Sequence, residues 1–258
     1  MSMILSERRG AIATVTLNNP EQYNAVNVDM LTELHAAIEA ALAAPEVRSI
    51  VLTGAGIGFC SGAQFGGDMF DRGEAAGSMM RATINPLIET MRGSSKPIVV
   101  AMNGAAAGAG VGIALAGDIV IAARSARFIL SFVRLGAVLD AGTSLLLQRA
   151  IGAPRARALA LLGEPLGAET AAQWGLIWKC VDDADLLAEA TAVALALAEG
   201  PPIALGMIKA QCETGWGASL PETLDREAAD QSKAFVTDDL REGAAAFVEK
   251  RRPRFVGR

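Results

Sequence analysis

The first chemistry that the sequence suggests is the binding of a negatively charged oxygen by main-chain N–H groups. From Gly104 to Gly110 every residue is glycine or alanine, so another group can approach this backbone very closely. A buried strand is predicted over residues 98–102, and a helix is predicted to follow the run of small residues. The first N–H groups of that helix, near Gly108, have no acceptor within it and suit an anionic oxygen. The pattern indicates an anion or oxyanion cradle built from main chain.

Asp140 is the acidic residue whose surroundings best suit proton transfer. It lies in the segment 135–143, whose other residues are leucine, valine, alanine, glycine and threonine. Apolar surroundings raise the pKa of a carboxyl group and suit it to acid–base work. The alternative is a structural role as the N-cap of the next helix, where aspartate is common, and this pattern leaves both interpretations open. Of the other acids, Asp118 is predicted to cap or brace a turn and Glu89 to be solvated.

Three other kinds of site are not favoured. The run Gly54–Gly58 follows a strand, but its spacing is GxGxG and no periodic helix opens after it, so a glycine-rich turn is favoured over a dinucleotide fingerprint. His35 is the only histidine, which argues against a triad or a multi-histidine metal site, and we predict it on the surface. The three cysteines have no paired or metal-ligand spacing and are predicted to pack in the core: Cys60, Cys180 and Cys212.

Composition limits the classes of partner. The chain has 258 residues, 52% of them hydrophobic, and a net charge of −5, so it can bury a large core and does not favour nucleic acid or an anionic membrane. The N-terminus lacks an apolar leader, and no apolar run reaches the roughly 18 residues of a membrane span. We therefore expect a cytoplasmic protein with no membrane or nucleic-acid partner. Abundant alanine and glycine with only 5% aromatic residues favour oligomer formation.

The hydrophobic periodicity predicts strands alternating with helices, followed by helices alone. A hairpin over 3–17 precedes a helix over about 29–43, and residues 64–80 are predicted to form a mobile loop. Further strands are predicted at 48–53, 98–102, 119–122 and 176–181, and further helices at 82–92, 143–150, 154–162, 168–174, 184–198 and 201–213. The order predicts an α/β protein with a core at 1–198 and a helical C-terminal region at 199–258.

Five segments together resemble a known family. They are 54–65, 103–118, 128–142, an A-x-x-x-G-L-I element at 171–177, and the run EGAAAFVEKR at 242–251. On these motifs the chain resembles the crotonase (enoyl-CoA hydratase/isomerase) superfamily over essentially its whole length. The resemblance implies a spiral of ββα turns with a helical C-terminal region used in trimer formation, or in a hexamer of two trimers. It also implies an acyl-CoA thioester as substrate, with no cofactor beyond the coenzyme A that the substrate carries.

The resemblance implies roles for single residues. The N–H groups of Ala63 and Ala109 would hold the thioester oxygen as it becomes an enolate. Substrate or CoA contacts are implied at Ala25, Ser61, Gly62, Gly108, Gly110 and Phe132, and contacts with a CoA in a neighbouring subunit at Phe247 and Lys250. For Lys250 the alternative interpretation is a solvated basic residue at a helix end, favoured by the helix dipole.

The resemblance also implies a type of reaction. Hydratases of this family carry two glutamates, at positions that hold Gly112 and Phe132 here, so simple hydration is disfavoured. Asp140 matches the aspartate of the family's isomerases and of a dehalogenase; the dehalogenase needs a histidine where Glu89 stands. The sequence is most similar to the phenylacetate-pathway 1,2-epoxyphenylacetyl-CoA isomerase group. We predict an acyl-CoA isomerase in which Asp140 moves the proton in a double-bond shift or a ring opening. The alternatives are an enoyl-CoA hydratase with altered acids and a non-catalytic protein that binds CoA esters.

Overall fold

The fold consists of two sheets and the helices around them. The computed structural model describes residues 2–64 and 73–258. Its strands are β1 (Ile4–Arg9), β2 (Ile12–Leu17), β3 (Ser49–Gly54), β4 (Gly58–Cys60), β5 (Ile98–Met102), β6 (Ala105–Ala107), β7 (Ile119–Ala123), β8 (Arg127–Ile129), β9 (Leu166–Gly167) and β10 (Lys179–Val181). Its helices are α1 (Val28–Ala43), α2 (Glu74–Ala82), α3 (Ile84–Gly93), α4 (Ala109–Leu115), α5 (Thr143–Leu162), α6 (Ala168–Trp174), α7 (Leu186–Ala198), α8 (Pro202–Thr214), α9 (Leu220–Ala234) and α10 (Asp238–Glu249).

From β3 to β8, successive strands alternate between the two sheets. The larger sheet has the order β1-β2-β3-β5-β7-β10, and the smaller has the order β4-β6-β8-β9. The hairpin β1–β2 and the pair β8–β9 are antiparallel, whereas the other pairs are parallel and therefore need crossover connections. Each unit from β3 to α5 gives one strand to each sheet and then a helix. This repetition confirms the predicted α/β spiral of ββα turns.

The larger sheet lies in the centre of the core. Every residue of β5 is fully buried, as is typical of a parallel strand covered on both faces, and this explains its unbroken apolar sequence. Helix α1 packs against β1, β2 and α3 and buries Leu34 and Ile38. Helix α7 packs against β3 and β5 and buries small residues such as Ala194. The buried Ser49 hydroxyl donates to the Ala194 carbonyl oxygen at 2.8 Å, which satisfies its hydrogen-bonding capacity.

Most predicted elements are present, with one main difference. The Asn27 side chain caps the start of α1, because it accepts a hydrogen bond from the Met30 N–H at 2.9 Å. The predicted loop at 64–80 is wrong in its second half, since α2 occupies residues 74–82, where alanine, methionine, glutamate and arginine favour a helix despite one glycine. The remainder of that prediction, residues 65–72, lies outside the described residues. The two helices predicted at 143–150 and 154–162 are both present within α5, on either side of a kink at Gly152, whose φ of 75° and ψ of 157° are not helical.

The C-terminal helices are joined to the core by a largely buried ion pair. The Lys209 Nζ atom on α8 lies 2.9 Å from Asp118 Oδ2, and it also donates to the Ser94 hydroxyl at 2.7 Å. Asp118 Oδ2 in turn accepts a hydrogen bond from the Ile98 N–H at 2.8 Å. Asp118 therefore braces the start of β5, in agreement with its predicted structural role.

Among the described residues no single helix is both long and apolar enough to cross a membrane; one pair, Asp183–Ala198 with Pro202–Thr214, meets the length and composition criteria together but is bent by 109° at its break.

Candidate active site

The predicted cradle lies where β4 and β6 end side by side. The two strands are parallel neighbours in the smaller sheet, so the segments that follow them leave the same edge. A methyl group added at Gly62 would lie 2.6 Å from the Ala107 carbonyl oxygen and 3.4 Å from the Ala109 nitrogen. Gly62 also has a φ of +88°, which favours glycine. The structure therefore brings the turn at 61–63 into contact with the turn at 107–109.

The N–H groups of Ala63 and Ala109 are the two predicted donors. Ala109 is the first residue of α4, so its N–H has no acceptor inside the helix. Val26 bridges Ala63 in parallel fashion: its N–H donates to the Gly62 carbonyl and its carbonyl accepts from the Gln64 N–H, both at 2.8 Å. This pairing directs the Ala63 N–H away from Val26. Within residues 2–64 and 73–258, neither donor takes part in a protein hydrogen bond.

Asp140 lies on a tight turn that leads into α5. The Thr143 N–H donates to the Asp140 carbonyl oxygen at 2.9 Å, and the two residues between them, Ala141 and Gly142, have φ values of +49° and +73°. A positive φ at alanine is uncommon and disfavoured by about 1–2 kcal/mol. The N-cap position of α5 is Gly142, without a side-chain cap, so the N-cap interpretation of Asp140 is wrong. The Asp140 Oδ1 atom is instead buried with no protein partner in the described part of the chain.

Burial changes the proton affinity of Asp140. Loss of solvent raises its pKa from 3.8 to about 6, and a hydrogen bond from its own main chain opposes this rise. None of the ion pairs found among the described residues includes Asp140. A carboxyl group that titrates near pH 6 can both accept and donate a proton close to neutral pH.

The Asp140 turn packs against the helix that carries Ala109. A methyl group added at Gly112 would lie 2.4 Å from the Ala141 carbonyl oxygen, 2.5 Å from the Ala141 Cβ atom and 3.0 Å from Thr143 Oγ1. Ala109 and Gly112 are three residues apart on α4, so they share a face of the helix. The turn therefore covers the α4 face that begins with Ala109, and it fills the space that any side chain at position 112 would need.

Phe132 lies beside the cradle. It belongs to a short 3₁₀ turn, Ser131–Leu135, and is buried. A methyl group at Gly108 would lie 3.9 Å from two carbons of its ring. A phenyl ring supplies an apolar wall and cannot transfer protons. The family resemblance associates two positions with glutamates. Here one holds Gly112, where there is no room for a side chain, and the other holds the aromatic ring of Phe132.

The other predicted contacts surround the same two turns. Ala25 is buried one residue before the Val26 bridge, and Ser61 is exposed, with its hydroxyl donating to the Gln22 carbonyl at 3.2 Å. A methyl group at Gly110 would lie 2.3 Å from the Cys60 carbonyl oxygen. Gly110 therefore allows the start of α4 to pack on the end of β4.

Asn24 supports this region and was not singled out from the sequence. It is fully buried; its Nδ2 donates to the carbonyls of Ala55 and Gly58 at 2.9 and 2.8 Å, and its Oδ1 accepts from the Asn19 N–H at 2.8 Å. Its φ is +55°, a conformation that asparagine adopts more readily than most residues. The bonds tie the loop before Val26 to the strands that lead to the cradle. An asparagine in a loop is too common a signal to reveal this role in advance.

Phe247 and Lys250 lie apart from the cradle at the end of α10. Phe247 is 85% exposed, and Lys250 is exposed and terminates the helix with a φ of +54°. No hydrogen bond or ion pair in the described part of this chain connects either side chain to the turns at Ala63 and Ala109.

Two predictions about possible reactive groups need correction. His35 is only partly exposed, because α3 packs against α1 and places Thr90 Oγ1 2.9 Å from His35 Nε2. Cys60 is buried, which raises its pKa to about 12, but Cys180 is half-buried and Cys212 is exposed on α8. Core packing is therefore wrong for Cys212. No group of three or more histidine, cysteine, aspartate or glutamate side chains suited to a metal occurs in the portion that the structure describes.

Comparison with known proteins places this geometry in a family. The family model described as enoyl-CoA hydratase/isomerase matches residues 7–258. The chain is 41% identical to the 1,2-epoxyphenylacetyl-CoA isomerase of Escherichia coli over all of both chains. It is 43% identical to a protein of Rhodobacter capsulatus named probable enoyl-CoA hydratase, over 96% of this chain and 95% of that one. A solved enoyl-CoA hydratase from Polaromonas sp. JS666 superposes with a TM-score of 0.92 at 33% identity, covering 98% and 99% of the two chains. Since family pattern, relatives and fold agree over essentially the whole length, this crotonase-fold chain belongs to the enoyl-CoA hydratase/isomerase family.

Proposed function

We propose that this protein is an acyl-CoA isomerase that acts through a thioester enolate. The N–H groups of Ala63 and Ala109 hold the thioester oxygen, and Asp140 moves a proton between carbons of the acyl group. Coenzyme A enters as part of the substrate, and no separate cofactor takes part. The observation that carries the proposal is the packing of the Asp140 turn on Gly112. It removes the space for an acid at position 112 on α4 and leaves Asp140, whose Oδ1 atom is buried without a protein partner in the described part of the chain, as the carboxyl group packed against that helix.

The proposed mechanism begins when the ionised Asp140 takes a proton from an acyl carbon. The electrons of that C–H bond move into the conjugated system, and the negative charge reaches the thioester oxygen. Two N–H donors preorganised for that oxygen stabilise the enolate, at about 3–4 kcal/mol per donor by analogy with acyl-transfer oxyanion holes. The protonated Asp140 then returns the proton to a different carbon, which shifts the double bond, or to the ring atom whose bond breaks, which completes a ring opening. A pKa of about 6 allows one group to perform both transfers.

The test replaces Asp140 with asparagine, which keeps the size of the side chain and removes the proton acceptor. Asp140→Asn should lower turnover of a panel of aromatic and aliphatic enoyl-CoA esters by at least about 100-fold, with CoA-ester affinity changed by less than about threefold. NMR detection of deuterium entering the acyl carbons in deuterated buffer measures the proton transfer directly. Unchanged turnover in Asp140→Asn would reject the role of Asp140. Tight binding by the wild-type protein with no deuterium exchange would instead favour a non-catalytic CoA-ester binding protein.

A second candidate is an enoyl-CoA hydratase that works with altered acids. The observation in its favour is the 43% identity with the Rhodobacter capsulatus protein named probable enoyl-CoA hydratase. In this case Asp140 would activate water as its single acid–base group. Loss of the enoyl-thioester absorbance of crotonyl-CoA, with incorporation of ¹⁸O from labelled water, would support hydration. Isomerisation of 3-enoyl-CoA esters without ¹⁸O incorporation would support the isomerase.

Assembly into trimers or hexamers is part of the proposal, with residues 199–258 as the association region and CoA contacts from Phe247 and Lys250 across the interface. Support comes from the large apolar side chains exposed at the ends of α9 and α10, including Phe235 at 66% and Val248 at 79% exposure. Light scattering should give three or six times the chain mass. Phe247→Ala should weaken CoA-ester binding without changing that mass. A cytoplasmic location stays a prediction.

A further inference from the structure

Two buried oxygen atoms on the Asp140 turn lack a protein partner. They are Asp140 Oδ1 and Thr143 Oγ1. In the described part of the chain no other buried side-chain nitrogen or oxygen atom lacks a hydrogen-bond partner. Thr143 is fully buried and is the first residue of α5. Leaving a buried hydroxyl or carboxylate oxygen without a hydrogen bond is unfavourable, so an explanation specific to this turn is required.

The two oxygens are held at the ends of one tight turn. The Thr143 N–H bond to the Asp140 carbonyl at 2.9 Å closes a four-residue turn, and the first and last Cα atoms of such a turn lie within about 7 Å. The two oxygens do not form a hydrogen bond with one another. One water molecule can bridge side-chain oxygens across such a turn, provided that the site is polar and offers at least two partners.

Among the described residues, the elements around the turn supply no hydrogen-bond partner for either oxygen. Helix α4 contributes glycine, alanine, valine, isoleucine and leucine, and its Gly112 faces Thr143 Oγ1. On α3, Glu89 is exposed and Arg92 pairs with Glu213. Arg134, on the 3₁₀ turn before Asp140, is exposed. In the part of the chain that the structure describes, the polar side-chain groups at this point are therefore the carboxyl group and the hydroxyl group themselves.

We infer that Thr143 is a positioning residue that holds an ordered water against Asp140. The Thr143 hydroxyl donates to the water, and the water donates to Asp140 Oδ1. This inference rests on the proposed role of Asp140 in catalysis, but its structural part can be measured without turnover. The water fixes the direction of the carboxyl group toward the substrate, and its hydrogen bond favours the ionised form of Asp140.

The direct test is an NMR titration of the Asp140 carboxyl carbon in protein labelled with ¹³C-aspartate. The signal is assigned by its loss in Asp140→Asn. Thr143→Val keeps the shape of the side chain but removes the hydroxyl, so the titration midpoint should rise by about 1 pH unit, the size expected for one hydrogen bond to a charged group. Thr143→Ser keeps the hydroxyl and should titrate within about 0.3 unit of the wild type. A Thr143→Val midpoint equal to that of the wild type would overturn the inference.

A matched control separates this effect from the general loss of a buried hydroxyl. Thr53 is also buried, and its hydroxyl donates to the Ala101 carbonyl at 2.8 Å. Thr53→Val should leave the Asp140 titration unchanged although it removes a hydrogen bond elsewhere. If Thr143→Val does not fold, a high-resolution crystal structure of the wild type decides the question. A water within hydrogen-bond distance of both oxygens supports the inference, whereas two oxygens bonded to protein atoms overturn it.

Kinetics then tests the consequence for catalysis. Thr143→Val should lower kcat by about tenfold, the equivalent of one such hydrogen bond, with KM changed by less than twofold, and Thr143→Ser should restore most of kcat. The acid limb of the pH–rate profile should move to higher pH in Thr143→Val. Failure of the proposed function would appear as full turnover in Asp140→Asn, whereas failure of this inference would appear as an unchanged titration in Thr143→Val.

Discussion

The contact between Gly112 and the Asp140 turn gives a prediction that joins stability to activity. Gly112→Ala adds one methyl group 2.4 Å from a main-chain oxygen and 2.5 Å from a Cβ atom. Ordinary contacts begin near 3.4 Å, so the Ala141 main chain must move by about 1 Å. A flexible side-chain end could yield at little cost, but this turn is closed by a hydrogen bond and has a positive φ at two residues.

The size of the effect follows from two opposed terms. Alanine is favoured over glycine in a helix interior by about 1 kcal/mol. Overpacking a close-packed site is unfavourable by about 1–3 kcal/mol, and contact with main chain places this site at the upper end. We expect Gly112→Ala to lower the free energy of unfolding by about 1–2 kcal/mol. Because a 1 Å displacement of a catalytic group can cost about 100-fold in rate, turnover should fall by about that factor.

The matched control is Gly93→Ala at the end of α3. A methyl group there meets no atom within 4 Å, so this variant should be neutral or slightly stabilising. Both variants are measured by urea denaturation followed by circular dichroism and by turnover of an enoyl-CoA ester. If Gly112→Ala matched Gly93→Ala in stability and in rate, the reasoning that places the Asp140 turn against α4 would be refuted.

Three further predictions concern other buried groups. Asp140→Asn should raise the free energy of unfolding above pH 6 by up to about 3 kcal/mol but leave it unchanged below pH 4. The reason is that the wild-type protein, with the pKa of Asp140 raised to about 6, is destabilised as this carboxyl group ionises with rising pH; urea denaturation at several pH values measures the difference. Lys209→Met should destabilise the protein by about 3 kcal/mol in the same assay, since it leaves the Asp118 carboxylate without its partner at 2.9 Å. Asn24→Ala should lower stability by about 2–4 kcal/mol and also lower turnover, because it removes the side-chain hydrogen-bond partner of three main-chain groups next to the cradle, those of Asn19, Ala55 and the buried Gly58.

Each of these has an outcome that would contradict it. A constant difference between Asp140→Asn and wild type from pH 4 to pH 8 would mean that burial does not raise the pKa of Asp140. Arg241 and Asp238 form an exposed ion pair on α10, so Arg241→Met should change stability little. If Lys209→Met lost no more stability than Arg241→Met, the proposed contribution of the Lys209–Asp118 pair to stability would be refuted. Asn24→Ala with full turnover would show that the loop before Val26 does not support the cradle.

The sequence was sufficient for the parts of the fold that depend on local chemistry. The apolar run of β5 and the position of α1 could be predicted directly, because burial pattern and hydrophobic periodicity act over a few residues. The glycine and alanine run at 104–110 indicated close main-chain approach before any family was considered. The whole-chain resemblance then supplied the spiral of ββα turns, which local patterns alone would not have ordered into two sheets.

Local signals failed where neighbouring elements decide the outcome. Residues 74–82 form a helix although their glycine and the preceding glycines suggested a loop. His35 is partly covered because α3 lies against α1. The N-cap of α5 is Gly142 and not Asp140, since the chain turns back on itself through two residues of positive φ. These outcomes depend on which surfaces meet, and residue type does not specify that.

The arrangement of the candidate site was decided by tertiary structure. Residue patterns alone indicated the run that contains Ala109 and the apolar surroundings of Asp140, and the family resemblance added Ala63 and its shared role with Ala109. Parallel pairing of β4 with β6 brings the turns at Ala63 and Ala109 together, and packing of the Asp140 turn on Gly112 brings the acid to the same helix face. The unpartnered hydroxyl of Thr143 likewise became visible only in the folded chain. A sequence fixes which groups are available, but only packing removes them from water, and burial is what makes an unpaired oxygen or a carboxyl group chemically distinctive.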